Sequence, residues 1–389
     1  MSRQTADVVV IGAGIHGAST AFHLARRGAR VTVLERGSAG GGATGRSSGL
    51  VRMHYDLAAE SALAWRSFDS FTAWPEVVGG DCGFVRTGFL RIVPPEQEPA
   101  LRANVADQQA IGINTRLVNA SEAADIAPGL ITDDFAVAAF EPDSGYADPT
   151  TACTTLLAGA RAAGAVVRQG CSVESIVVER GRVSGVRTAE STISAPTVVL
   201  AAGAWSGRLA ATAGLELPIE AWHHDTGFVR WPAGQRPGLP TIIDDIHALY
   251  VRPEGRELAL VGLEDGNRID DRAGDDGRSD PAFEDNAAER LPQRMAAFLD
   301  AELVTVHGGT DGITPDQRPM LGRHGPDGLV LQCGFSGTGF KIAPAVGLAI
   351  SELILDGVVR SADISAFDPA RFEAGRPIVP EHAYASLWR

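Results

Sequence analysis

The chain has 389 residues, a formal net charge of −14, 44% hydrophobic and 21% charged side chains, and four cysteines. That length exceeds one typical core and predicts two intertwined domains of ordinary globular composition. The acidic balance argues against nucleic acid or an anionic membrane as partner; no apolar run is long enough for a membrane span, no signal peptide fits, and cysteines without C-x-x-C spacing read as free thiols in a reducing cytoplasm.

The chain opens on Asp7-Val-Val-Val-Ile-Gly-Ala-Gly-Ile-His-Gly-Ala. Val8 to Ile11 reads as a strand buried on both faces. Gly12, Gly14 and Gly17 form G-x-G-x-x-G, a helix follows to a C-cap at Gly28, and a second buried strand, Val31 to Leu34, ends at Glu35. Gly12 allows the tight turn, Gly14 the approach of a pyrophosphate and Gly17 close helix–strand packing. The helix start, with Ile15 and His16, offers N–H groups to phosphates, and Glu35 stands where a ribose hydroxyl is bound. The pattern predicts a dinucleotide site and leaves FAD or NAD open.

Next comes a glycine-rich stretch, Arg36 to Gly49, too rich in glycine for a helix or strand, which reads as backbone laid against a flat ligand before the buried residues Leu50 to Tyr55. Leu57 to Trp74 is helical. Phe84 to Val93 predicts a hairpin at Thr87-Gly88, and Glu96 to Ile111 a polar helix. Asn119 to Ala127 is a short helix with a capping box at Ser121, and Phe135 to Phe140 a strand. Asp148-Pro149 starts a helix that ends near Gly164. A short strand, Val166-Val167, precedes a hairpin of Ser172 to Arg180 and Arg182 to Thr188, then a buried strand Thr197 to Trp205. Ile219 to Trp231, Thr241 to Arg252 and Glu257 to Leu263 predict a second, mostly antiparallel sheet. An acidic turn runs from Glu264 to Asp280, followed by a helix Asn286 to Phe298, strands Glu302 to Gly312 and Gly328 to Cys333, and a helix Ala345 to Leu355. Positive charge comes from 33 arginines and a single lysine, Lys341.

Two late stretches, Thr310-Asp-Gly-Ile-Thr-Pro-Asp-Gln-Arg-Pro-Met-Leu-Gly322 and Cys333-Gly-Phe-Ser-Gly-Thr-Gly-Phe-Lys-Ile-Ala-Pro344, complete a pattern with Val8–Glu35, Gly42–Tyr55 and Val198–Trp205. The pattern resembles the FAD-dependent D-amino-acid oxidase superfamily, most closely its sarcosine oxidase and N-methyl amino acid oxidase branch. The resemblance runs from end to end and implies FAD rather than NAD. It implies an α/β fold with a glutathione-reductase-like FAD-binding domain (1–80, 141–218 and 306–389) and an inserted, mostly antiparallel substrate domain (81–140 and 219–305). By position it gives Gly12, Gly14, Gly17, Glu35 and Arg36 to the adenosine and pyrophosphate. Thr44, Arg46, Ser47, Ser48 and Gly49 wrap the ribityl chain and flavin. Val173, Ala202, Gly203 and Trp205 lie by the cofactor, and Gly337, Thr338, Gly339, Phe340 and Lys341 face the pyrimidine end of the flavin.

For substrate, the same resemblance puts a carboxylate on Arg52 and Lys341 and aligns Tyr250 with an active-site aromatic. His54, His223 and His224 are further candidates for the cavity lining, or else structural histidines. Gly309 takes the place of the cysteine that binds flavin covalently in some members, so non-covalent FAD is expected, a histidine link being left open. Leu258-Ala-Leu-Val-Gly262 carries no lysine where fast oxygen-reacting members have one, which leaves the electron acceptor open between O2 and another molecule. The implied reaction is oxidation of a C–N bond in a small carboxylate-bearing amine. Hydride passes to flavin N5 and the resulting imine hydrolyses. A 2-hydroxy-acid or polyol dehydrogenase, tailoring of a larger amine, or a flavin-bearing subunit stay open as alternatives. So does a homo-oligomer.

Overall fold

The computed structural model describes residues 4–232, 238–264, 268–270, 274 and 279–388. Its first unit is a six-stranded sheet in the order Val166–Arg168, Val31–Leu34, Val8–Ile11, Thr197–Leu200, Leu329–Cys333, Met320–Arg323. All neighbours are parallel except the last pair. Val8 and Val10 pack on one side with helices, while Val9 and Ile11 pack on the other against Val186 and Ile193 of a four-stranded sheet. Burial on both faces is why these strands read as unbroken apolar runs. Each such fully buried valine or leucine stabilises the fold by roughly 1.5–3 kcal/mol.

The helix Ile15–Arg26 leads out of the central strand and lies between Pro149–Ala162 and Ala343–Leu355. Asp148 caps the second of these, accepting from the Thr151 N–H at 2.5 Å, with Pro149 at the first helical position as expected.

The larger sheet has nine strands. Glu220–Arg230 is paired along one side with Glu302–Ile313, and along the other with Arg268–Asp270 at its start and Leu258–Leu263 at its end. The order continues through Leu249–Glu254, Thr241–Asp244, Phe89–Ile92, Val137–Glu141 and Arg116–Asn119. Every pair is antiparallel except Thr241–Asp244 with Phe89–Ile92. Side chains alternate between its faces. Leu90, Ile92, Ile242, Val251, Ala259 and Val261 join a core closed by the helix Phe283–Arg294. Phe89, Ile243, Tyr250 and Leu260 gather with Leu50 on the opposite face.

Four local expectations are corrected. The stretch Phe84 to Val93 is not a hairpin: Val85–Arg86 pairs with Gly145–Tyr146 in a three-stranded sheet, while Phe89–Ile92 belongs to the large one. Gly88, at φ +79°, turns the chain from one sheet to the other. Thr241 to Arg252 is two strands, because Asp244 Oδ1 accepts from the N–H groups of Ile246 and His247 and folds a turn there. The capping box is made by Asn119 and Glu122, its cap two residues before Ser121. The Arg36–Gly49 stretch includes a short 3-10 turn, Ala43–Arg46. Most of the acidic turn from Glu264 to Asp280 lies outside the described residues. Among the described residues no helix is long and apolar enough to cross a membrane.

Candidate active site

A cavity of about 610 Å³ runs from the Gly12 turn, between the two large sheets, to the apolar face at Tyr250. At its first end Gly12 has φ +103°, and a Cβ there would lie 2.3 Å from the Ala201 carbonyl oxygen. Only glycine permits that approach. Gly17 does not line the cavity; its Cα faces the Gly12 carbonyl, which a Cβ would meet at 2.1 Å, so it serves helix packing. No side chain caps the helix at Gly14, and Ile15 donates its N–H to Thr44 Oγ1 at 3.0 Å. The first turn of that helix presents its N–H groups to the cavity, a cradle suited to a pyrophosphate. Glu35 accepts from the N–H groups of Ala13 (2.9 Å) and Gly37 (2.8 Å), which fixes its carboxylate at the end of the second strand. The Arg36 guanidinium lies 3.7 Å from the centroid of the Trp205 ring. Val173, Ala202 and Gly203 close this end.

The middle of the cavity is made by the Phe335–Lys341 turn facing Thr44, Arg46, Ser47 and Ser48. Asp311 holds that turn: its carboxylate accepts from the Gly337 N–H and from its neighbour Gly312, each at 2.7 Å. Burial pushes the Asp311 carboxyl up. His16 stacks on Phe335 with centroids 3.4 Å apart, and burial pulls its imidazole down to about 3, so it is neutral. Gly49 turns the chain beside Ala147 and does not reach the cavity.

The far end holds two buried cations. Arg52 is 2% and Lys341 6% exposed. The Arg52 guanidinium lies 4.5 Å, and Lys341 Nζ 5.5 Å, from the centroid of the same Tyr55 ring. Burial, then the charge of Arg52, pulls the Lys341 ammonium well below its usual range; burial also lowers Arg52. Two cations desolvated side by side make a receptor for an anion, which relieves both penalties. Glu60 stands behind them and accepts from Thr338 Oγ1 at 3.0 Å, with Arg318 Nε 3.2 Å away. Tyr250 lines the cavity with its ring laid across Gly262, where a Cβ would meet ring atoms at 2.3 Å.

The histidines divide. His224 lines the cavity, buried and pulled down to about 4 by desolvation. Gly309 sits between it and Arg46. His223 points elsewhere, to Thr310 Oγ1 (2.9 Å) and Asp270 (3.3 Å). His54 is corrected: it is fully buried behind the cavity, bonded through Nε2 to Tyr384 Oη at 2.8 Å, and it does not line the site. Sequence reasoning missed Trp222, Phe335, Asp311, Leu387 and Trp388, all lining residues. Trp222 was within reach of it, two positions from His224 on one strand and therefore on the same face. Trp388 carried no local signal.

A turn built on a βαβ unit, with a long cavity leading from it to Arg52 and Lys341, is the architecture of a dinucleotide-dependent oxidoreductase. A family model described as FAD dependent oxidoreductase matches residues 7–353, and the chain belongs to that family, the DAO family. It is therefore an FAD-dependent oxidoreductase. Human mitochondrial sarcosine dehydrogenase is 28% identical over 388 residues, covering 95% of this chain and 41% of that protein, so the chain spans about two-fifths of that relative's length. Glycine oxidase of Geobacillus kaustophilus is 28% identical over 384 residues, covering 96% of this chain and 97% of that one. The crystal structure of L-proline dehydrogenase from P. horikoshii superimposes with a TM-score of 0.89 at 28% identity, covering 97% of this chain and 100% of that one.

Proposed function

We propose that this protein oxidises a C–N bond of a small amino acid or N-alkyl amino acid, held by its carboxylate between Arg52 and Lys341. The observation that carries the reading is the convergence of those two buried cations on one ring at the end of the cavity opposite the Gly12 turn. Arg52 offers a planar fork for two carboxylate oxygens and Lys341 a compact charge. The wall facing them is apolar: Ile243, Tyr250 and Leu263. Such a wall disfavours an ammonium and favours the neutral amine, whose nitrogen lone pair assists loss of hydride from the adjacent carbon. No separate base is required. FAD, when bound, supplies the two-electron acceptor. Gly12, Gly14 and Glu35 would hold its adenosine half and the Gly337–Lys341 turn its flavin, orienting the reacting carbon. With Gly309 at the cysteine position, the reading takes the flavin as non-covalent.

The same reading divides the chain into an FAD unit (1–80, 141–218, 306–389) and a substrate unit (81–140, 219–305), joined by the strand Glu302–Ile313, which runs through both. It also favours an acceptor other than O2. Of the Leu258–Leu263 strand only Leu263 lines the cavity, and the named relatives include two dehydrogenases. The test is anaerobic bleaching of the flavin by N-methyl amino acids, amino acids and 2-hydroxy acids in turn. Bleaching by the amines supports the reading; bleaching by the hydroxy acids alone overturns it.

A further inference from the structure

The segment His382–Trp388 lies against the substrate end of the cavity and is fastened at several independent points. Asn104 Nδ2 donates to the His382 carbonyl at 2.9 Å. Tyr384 Oη meets His54 Nε2 at 2.8 Å, and the Leu387 N–H donates to Glu264 Oε1 at 2.8 Å. The Trp388 carbonyl accepts from Arg91 Nη1 at 2.5 Å and from Arg52 Nη2 at 3.5 Å. Arg91 is itself anchored on Asp245 at 2.5 Å, and both partners are buried. The Trp388 ring stands edge-on to Tyr250, with centroids 4.9 Å apart, and both rings line the cavity.

Resting on the carboxylate reading above, we propose that Trp388 is a specificity-determining residue: its ring is the wall that limits the size of the group carried on the substrate's amine-bearing carbon or nitrogen. The two arginines have separate duties. Arg91 holds the Trp388 carbonyl by the short contact, and Arg52 touches it only at the limit of a hydrogen bond. His54, which does not line the cavity, acts through Tyr384 as one of the fasteners. The edge-on pair of Trp388 and Tyr250 presents a stiff aromatic surface, costly to displace. A small substituent fits beneath it and a bulky one collides with it.

The test titrates the FAD-loaded protein with acetate and with 3-phenylpropionate, following the flavin absorbance. The ratio of the two dissociation constants is compared among wild type, Trp388→Ala and Trp388→Phe. Admitting a previously excluded apolar group is worth about tenfold or more. The ratio should move at least that far toward 3-phenylpropionate in Trp388→Ala, and much less in Trp388→Phe, which keeps a ring. A structural role alone would weaken both ligands together and leave the ratio fixed; that result overturns the proposal. If neither acid perturbs the wild-type flavin, the carboxylate reading falls, and this proposal with it. Should Trp388→Ala lose its FAD, Trp388→Leu answers the same question by the same ratio.

Discussion

The two ends of the cavity are built from different materials. The end at Gly12 is backbone: turns, helix N–H groups and one carboxylate, carried by strands buried on both faces. The end at Arg52 is side chains, brought from positions 52, 250, 341 and 388 onto one face of an antiparallel sheet. A backbone cradle tolerates no added atom, whereas a side-chain receptor is tuned atom by atom. The first kind of site is therefore fragile and general, the second robust and particular.

The sharpest way to break this contrast is Gly12→Val. The φ of +103° and the 2.3 Å approach to Ala201 together should cost upwards of about 3 kcal/mol. Purified Gly12→Val should lack flavin absorbance, and a yellow, fully loaded variant would show that the cradle is less exacting than its geometry. Lys341→Met should behave in the opposite way. FAD content stays at the wild-type level, while the apparent constant for a reducing amine rises by about ten- to a hundredfold, the worth of one charge-assisted contact of roughly 1.5–3 kcal/mol. An unchanged constant in steady-state or anaerobic titration removes Lys341 from the receptor.

A smaller effect sharpens the comparison through pH. Lys341 has its pKa lowered by burial and by Arg52, with Glu60 opposing. Below that lowered value the ammonium is charged and an acetate ion is held. As pH rises through it the charge is lost, and the acetate dissociation constant should climb toward about tenfold per pH unit. Between the lowered value and the unfolded lysine's 10.5 the unfolded chain binds the extra proton, so this group alone makes the fold more stable as pH rises there. In Lys341→Met the slope of acetate binding should disappear; a slope that persists assigns it to another group.

Legibility in the sequence follows the same division. The opening strand, helix and second strand were readable because local period, glycine spacing and terminal acid all agree. The substrate end was readable only through the resemblance, since nothing near Arg52 says that Lys341 lies beside it. His54 stands two residues from Arg52, but such a step gives a shared face only within a regular strand. The strand Leu50–Val51 ends before either residue, so the alternation does not carry over. The undivided strand at Thr241–Arg252 failed for a local reason: Asp244 uses its side chain to fold a turn that apolar patterning conceals. Trp388 was invisible because its role depends on hydrogen bonds to Arg91 and Arg52, about 300 and more residues away in sequence.

Strict alternation along the large sheet has an evolutionary consequence. Phe89, Ile243, Tyr250 and Leu260 share one face, on which Ile243 and Tyr250 line the cavity, while their immediate neighbours Leu90, Ile242, Val251 and Val261 carry the opposite core. Selection can thus exchange the first set and leave the second intact. A family with this sheet can change its diet without relearning how to fold, and a laboratory library confined to those four positions would sample the same freedom.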